Sequence, residues 1–312
     1  PRGKELPVWG DWKNTRLMQV IVNSWENDIV KEMKKSDGKK IKHVNVKCCE
    51  DANLAGTKDS DKCTLIFCEG DSAAAYIRKY IALKPNGKDY YGIFAFRGKP
   101  LNVMKAYIED IIENKEFADL KKALGLQYDM DYTLPDNQKT RRYGKVMIAV
   151  DADHDGAHIR AIIMAFCRYY IRGSFETGYI TSLCTPIVRV QWQGETYRFY
   201  RDGSYRKWIE EDPKRKKALA KYYKGLGTSD DDEIKDDYEA NMVVCHRFDE
   251  ESENLFTLAM DDGRSDDRKN WISEDLEEIE EPERGDQLVS HFLKGELIHF
   301  YHYSLLRAIA RL

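Results

Sequence analysis

KVMIAVDADHDGAHIRAIIMAFCRYYI, residues 145–171, is the stretch whose reading decides the fold. KVMIAV is a short apolar run that suits a buried strand of a parallel sheet, and AIIMAFCRYYI is an apolar helix. Between them lies a turn carrying Asp151, Asp153 and Asp155. The same order of strand, acidic turn and helix recurs upstream. There CTLIFC (63–68) is followed by Glu69 and Asp71 and by the Ala-rich helix start in EGDSAAAYIRKYIA (69–82). YYGIFAF (90–96) supplies a further strand that runs into RGKPLNV, and Met104–Asn114 reads as a helix with Ala106, Ile108, Ile111 and Ile112 on its apolar side. Strands alternating with helices predict an α/β domain on a mainly parallel sheet flanked by helices, with sites beyond the carboxyl ends of the strands.

Outward from this centre, residues from about 15 to 36 mix apolar and charged positions at helical spacing (Val20, Trp25, Ile29, Met33), which predicts a helix leading into the body. Asp51–Lys62 is a polar loop. YITSLCTPIVRVQWQGETYRFY (179–200) alternates as antiparallel strands do, with a turn near Gly194. KKALAKYYKGLGTS (216–229) sets two glycines around Leu226, and HFLKGELIHFYHYSLLRAIARL (291–312) is helical in its last part. Helical extensions are thus expected at both ends of the α/β body.

The 312 residues hold 50 Lys+Arg against 54 Asp+Glu, a net charge of −4, which fits neither a polybasic DNA-coating protein nor an acidic tail. With 42% apolar and 12% aromatic residues the chain can build a sizeable core. A mean hydropathy of −0.65 argues against a membrane protein. No run approaches the ~18 apolar residues of a membrane span, and the first residues lack a secretory signal, so an intracellular location is expected. The seven cysteines are irregularly spaced and mostly set in apolar runs, which reads as reduced thiols in a reducing compartment. The net charge is unevenly spread: between Asp249 and Asp286 the balance is −12, leaving +8 for a mildly basic body.

Carboxylates spaced as Asp151, Asp153 and Asp155 are repel one another, and a divalent cation with oxygen ligands relieves that. An isolated DxD is more often a solvated turn, but here Gly156 and an apolar helix follow directly. An EF-hand loop would need Glu at its twelfth position, where this chain has Ile162, and a helix rather than a strand before it. A phosphatase of the haloacid dehalogenase type also places a DxD after a strand, with one Asp as nucleophile. Glu69 tips the balance, because it too ends a buried-type strand. If the two strands are neighbours, Glu69, Asp151 and Asp153 converge on one magnesium-binding crevice of the kind used in two-metal phosphoryl transfer. Arg97 and Lys99, flanking Gly98, and Lys224, before Gly225, suit phosphate contacts. His158 and His154 lie beside the aspartates and could aid DNA or metal contact, His154 reading rather as an exposed residue. Cys, Ser and His form no convincing nucleophile arrangement.

EGDSA (69–73), FRGKPLNV (96–103), DADHDGAHI (151–159) and YYKGLGTS (222–229), in that order, resemble the TOPRIM region of type IIA DNA topoisomerases. KHVNVKCCEDANLAG (42–56), GLQY (125–128), RYGK (142–145), TPIVRV (185–190) and DDRKNW (266–271) extend the resemblance to the eukaryotic single-chain version, over nearly the whole chain from about residue 15. FRGKPLNV and YKGLGTS are not expected in primases, type IA topoisomerases or nucleases that share TOPRIM.

The resemblance implies a Rossmann-like TOPRIM fold and Mg²⁺-dependent transient double-strand cleavage and religation of DNA. It makes Glu69, Asp151 and Asp153 catalytic metal ligands for two Mg²⁺, replaceable by Mn²⁺ or Ca²⁺, with Asp155 supporting the cluster. Arg97, Lys99, Lys224 and His158 would contact double-stranded DNA. Implied too are a homodimeric whole enzyme, ATP used only outside this chain, and a nucleophilic tyrosine in a winged-helix domain of the same or the partner protomer, beyond Leu312. Residues 1–45 would be a lead-in from the ATPase side, 46–285 the TOPRIM domain with its C-terminal extension, and 286–312 the start of a linker. The location would be the nucleus if eukaryotic, or a host nucleus or cytoplasmic factory if viral. Ala152 and His154 depart from the usual motif and point to a viral or otherwise divergent source. The competing classes are a stand-alone Mg²⁺-dependent phosphohydrolase or nuclease and a non-catalytic DNA-binding module.

Overall fold

A computed structural model describes residues 16–273 and 281–309. Residues 1–15, 274–280 and 310–312 lie outside the described residues, and with them part of the expected lead-in, part of the acidic stretch and the last residues of the expected linker. The strands are β1 (Cys49–Glu50), β2 (Thr64–Glu69), β3 (Tyr91–Phe96), β4 (Lys145–Ile148), β5 (Ile180–Leu183), β6 (Val188–Trp192), β7 (Glu195–Phe199), β8 (Leu219–Tyr222), β9 (Val243–Arg247) and β10 (Gly285–Leu288). The longer helices are α1 (Arg16–Lys35), α2 (Gly70–Ala82), α3 (Lys115–Leu124), α4 (His154–Tyr170), α5 (Asp202–Glu211), α6 (Asp231–Ala240), α7 (Glu250–Met260), α8 (Ser265–Ser273) and α9 (Ile298–Ile309).

The main sheet runs β1-β3-β2-β4-β5-β9-β10. β3, β2, β4 and β5 are parallel neighbours, β9 joins β5 antiparallel, and β10 lies parallel to β9. Alternation along the central strands splits the core in two. Leu65 and Phe67 of β2 and Val146 and Ile148 of β4 face Ile159, Ile162 and Phe166 of α4. Ile66, Cys68 and Met147 face Ala73, Ile77 and Tyr80 of α2 and Ile234 of α6. Helices on both faces are what a strand buried on both sides demands.

Two sequence expectations change. The run 179–200 is not one antiparallel unit: β5, buried throughout, completes the parallel part of the main sheet beside β4. Only β6 and β7 form the hairpin, turning through Gln193 and Gly194, both at positive φ, and with β8 they make a separate sheet β7-β6-β8. The helix expected at 104–114 shrinks to Ile108–Glu113, because the Asn102 side chain accepts from the Met104 N–H and holds a turn there instead. Strand β10 pairs with β9 through Gly285–Leu288 and forms the edge of the main sheet. All seven cysteines are unpaired thiols. Among the described residues no helix is long and apolar enough to cross a membrane.

Candidate metal and DNA-facing site

The register of β2 against β4 pairs Thr64 with Lys145 and Phe67 with Ile148. Carried two residues on, that register sets Glu69 beside Val150 and next to Asp151. On the other side Glu69 pairs with Phe96, so Arg97, Gly98 and Lys99 leave β3 at the same rim. The ends of three adjacent parallel strands thus bring one glutamate, the aspartate turn and two basic residues together.

Glu69 is half-buried at the start of α2, and its side chain makes no capping bond to that helix. Burial, then Asp151, hold its carboxyl above the ordinary carboxylate range against the pull of Lys99, and Asp153 and Asp155 add to the push. Burial raises the Asp151 carboxyl as well; the Leu226 N–H, donating to its Oδ1 at 2.8 Å, draws it back, and Asp153 pushes up. The bond needs close backbone approach: a Cβ on Gly225 would stand 2.2 Å from Asp151 Oδ2. Gly156 has a similar reason, since a Cβ there would meet the Asp151 carbonyl oxygen at 2.0 Å. Asp153 is exposed and caps α4, accepting from the Gly156 N–H at 2.8 Å. A cavity of about 540 Å³ opens beside it, with Arg206, Tyr222 and His299 among its lining.

Asp155 has other work. Lys99 Nζ lies 2.6 Å and Arg307 Nη1 3.2 Å from its carboxylate, and the pair with Lys99 holds that carboxyl below the ordinary range. A metal-ligand role would require it to leave both cations. His158 stacks on Phe300 of α9 at 4.1 Å between ring centroids, and burial pushes its pKa down to about 4. It is neutral at pH 7, so it offers a phosphate no charge. Arg97 and Lys224 are exposed, and among the described residues neither side chain pairs with a carboxylate.

Among the described residues no three His, Cys, Asp or Glu side chains form a cage that could hold a metal unaided. Magnesium does not require one, because it keeps several waters and takes one or two carboxylates together with substrate phosphates. Glu69 and Asp151 fit such an ion: they are oxygen donors, mutually repelling, at one rim. Sequence reading missed three contributors. These are the Leu226 N–H and the Gly225 backbone that positions it, 75 residues from Asp151, and Arg307 on the last helix. The paired glycines around Leu226 are the visible signal, and the structure sets Gly225 against a carboxylate.

Residues 64–183 match the Toprim domain, and residues 183–305 match the C-terminal associated domain of TOPRIM. DNA topoisomerase 2 of Saccharomyces cerevisiae is 35% identical over 304 residues, 95% of this chain and 21% of that protein. DNA topoisomerase 2-alpha of Rattus norvegicus is 38% identical over 76% of this chain and 16% of its own length. The crystal structure of the Plasmodium falciparum topoisomerase II DNA-binding, cleavage and re-ligation domain superposes with a TM-score of 0.75 at 31% identity, covering 84% of this chain and 36% of that one. The chain therefore spans about a fifth of the length of its yeast relative.

Proposed function

The chain belongs to the Toprim family in the form found with its C-terminal associated domain in DNA topoisomerase 2, and from there we propose that it is the metal-binding part of a type IIA DNA cleavage centre. The observation that carries this is the placement of Glu69 and Asp151 at the ends of adjacent parallel strands, each carboxyl held above its ordinary range, with Arg97, Lys99 and Lys224 around them.

Divalent-metal use goes with the family; the finer reading is two Mg²⁺ per site, with Mn²⁺ or Ca²⁺ able to substitute. Glu69 and Asp151 would hold the ion at the scissile phosphate, and Asp151 with Asp153 its companion. Bound there, such ions stabilise the attacking and leaving oxygens of a phosphodiester. The chain's own residues set the conditions. Leu226 N–H fixes the Asp151 carboxylate in one orientation, and the Asp153 side chain is steadied by the Gly156 N–H. Arg97 and Lys224 are free to meet backbone phosphates, and Lys99 joins them when it leaves Asp155. His158 and Asp155 are not part of this set; they position α9 and Lys99.

In the whole enzyme we place the nucleophilic tyrosine in a winged-helix domain of the same or a partner protomer. We also expect double-stranded DNA as substrate, a homodimer, ATP-driven strand passage outside this chain, and a nuclear location. The test is plasmid relaxation and cleavage by the full-length protein. Asp151→Asn or Glu69→Gln should abolish both while circular dichroism shows an unchanged fold, and retained cleavage would overturn the assignment. The chain alone should neither relax nor cleave plasmid DNA.

A further inference from the structure

The DNA-facing site has a basic continuation on the second sheet. Between Arg206 and Lys224 eight basic residues stand against three acidic ones. In the turn Pro213–Lys217, Arg215 is anchored inward: its guanidinium lies 4.7 Å from the Trp208 ring centroid and donates to Trp208 O at 2.8 Å and Glu211 Oε2 at 2.7 Å. Asp212 Oδ1 accepts from the Lys214 N–H at 2.9 Å and fixes the start of the turn. Because the turn is a 3₁₀ helix, residues three apart lie in line, so Lys214 and Lys217 share a side that Arg215 does not. Lys214, Lys216 and Lys217 are exposed, and among the described residues none pairs with a carboxylate.

The position of this turn connects it with the site. Strand β8 is the edge of its sheet and leads from Lys217 to Lys224, the residue before the Gly225 that touches Asp151. At ~3.3 Å per residue that path is at most about 23 Å, or about seven base pairs of duplex at ~3.4 Å each. Tyr222, 62% exposed, lies along it. We propose that Lys214, Lys216 and Lys217 form a second duplex-contact ridge, which grips the phosphate backbone of DNA flanking the reacting site without reading its sequence. The proposal rests on the cleavage-centre reading for the path of the DNA.

The test is binding of this chain to a 30-base-pair duplex, followed by fluorescence anisotropy in Mg²⁺-free buffer between about 50 and 200 mM salt. Each lost phosphate contact lowers the slope of log affinity against log salt by about 0.9. The variant carrying K214Q, K216Q and K217Q should therefore lose up to about 2.7 of slope. Its deficit relative to the unaltered chain should be up to about 40-fold larger at 50 than at 200 mM. The matching triple Lys→Arg variant should keep both slope and affinity. An unchanged slope in the Gln variant, or no duplex binding by the unaltered chain, overturns the ridge. Failure of the cleavage-centre reading shows separately, as cleavage retained by full-length Asp151→Asn, and leaves the slope difference standing.

Discussion

Gly225→Ala tests the site at the point where two distant segments meet. The added Cβ would lie 2.2 Å from Asp151 Oδ2, 2.5 Å from Cγ and 2.7 Å from Oδ1. Ordinary contact begins near ~3.4 Å, so something must move by about an ångström. Gly225 sits at φ 174, an extended conformation that alanine adopts freely, so the contact alone is at issue. The mobile partner is the Asp151 carboxylate, which would swing away from the Leu226 N–H that it accepts at 2.8 Å. A hydrogen bond to a charged group is worth about 1.5–3 kcal/mol, and part returns as the freed carboxylate gains water and distance from Glu69. The expected net loss is about 1–2 kcal/mol, a fall in Tm of about 1.5–3 °C. Metal affinity should suffer more, by about 10- to 100-fold, as when the partner that orients a ligand is removed. A Mn²⁺ titration read by electron paramagnetic resonance, run beside thermal melting, measures both. Metal affinity within twofold of the unaltered chain would refute the view that the Gly225 backbone sets the Asp151 carboxylate.

Because Glu69 and Asp151 titrate above the ordinary carboxylate range, the folded chain holds protons that the unfolded chain has released. Stability falls as pH rises from that range through the folded values, and remains lowered above them. In metal-free buffer Asp151→Asn should therefore melt no lower than the unaltered chain at pH 8, with the advantage fading towards about pH 4; a lower Tm at pH 8 would contradict this. Glu296, buried between Arg160 at 2.9 Å and Arg201, is the reverse case. Glu296→Ala leaves the buried Arg160 and the half-buried Arg201 without their shared carboxylate and should cost about 3–5 kcal/mol by urea denaturation. Asp155→Asn breaks partly exposed pairs with Lys99 and Arg307 and should cost under about 1 kcal/mol. Its folded pKa is depressed, so that small cost should appear above the ordinary carboxylate range and vanish as pH falls through the folded value.

The central fold was legible because its signals are local. CTLIFC, YYGIFAF and KVMIAV are apolar runs closed by charges, and each became a strand of the parallel core. β5 was harder: ITSL resembles the hairpin strands that follow it, and only burial on both faces, set by its neighbours, separates it from them. Of the site, the strand-end positions of Glu69 and Asp151 could be read, and their adjacency depended on sheet order that no local pattern carries. Side-chain employment was not readable. Nothing near His158 foretells Phe300 against its ring, and nothing near Asp155 foretells Arg307, 152 residues on. Long-range ion pairs are chosen by packing, after the backbone has brought the charges together.

The shared strand β5 bears on how the protein can be divided. The two family matches meet at residue 183, where β5 ends, yet β5 lends one edge to β4 and the other to β9, which belongs to the second match. The two matched stretches are therefore bonded as one sheet. A protein cut at residue 183 for separate expression would bare a fully buried strand along its length, an invitation to pair with another copy. Recombinant boundaries should follow the hydrogen bonds rather than the homology, keeping β9 and β10 with the parallel core.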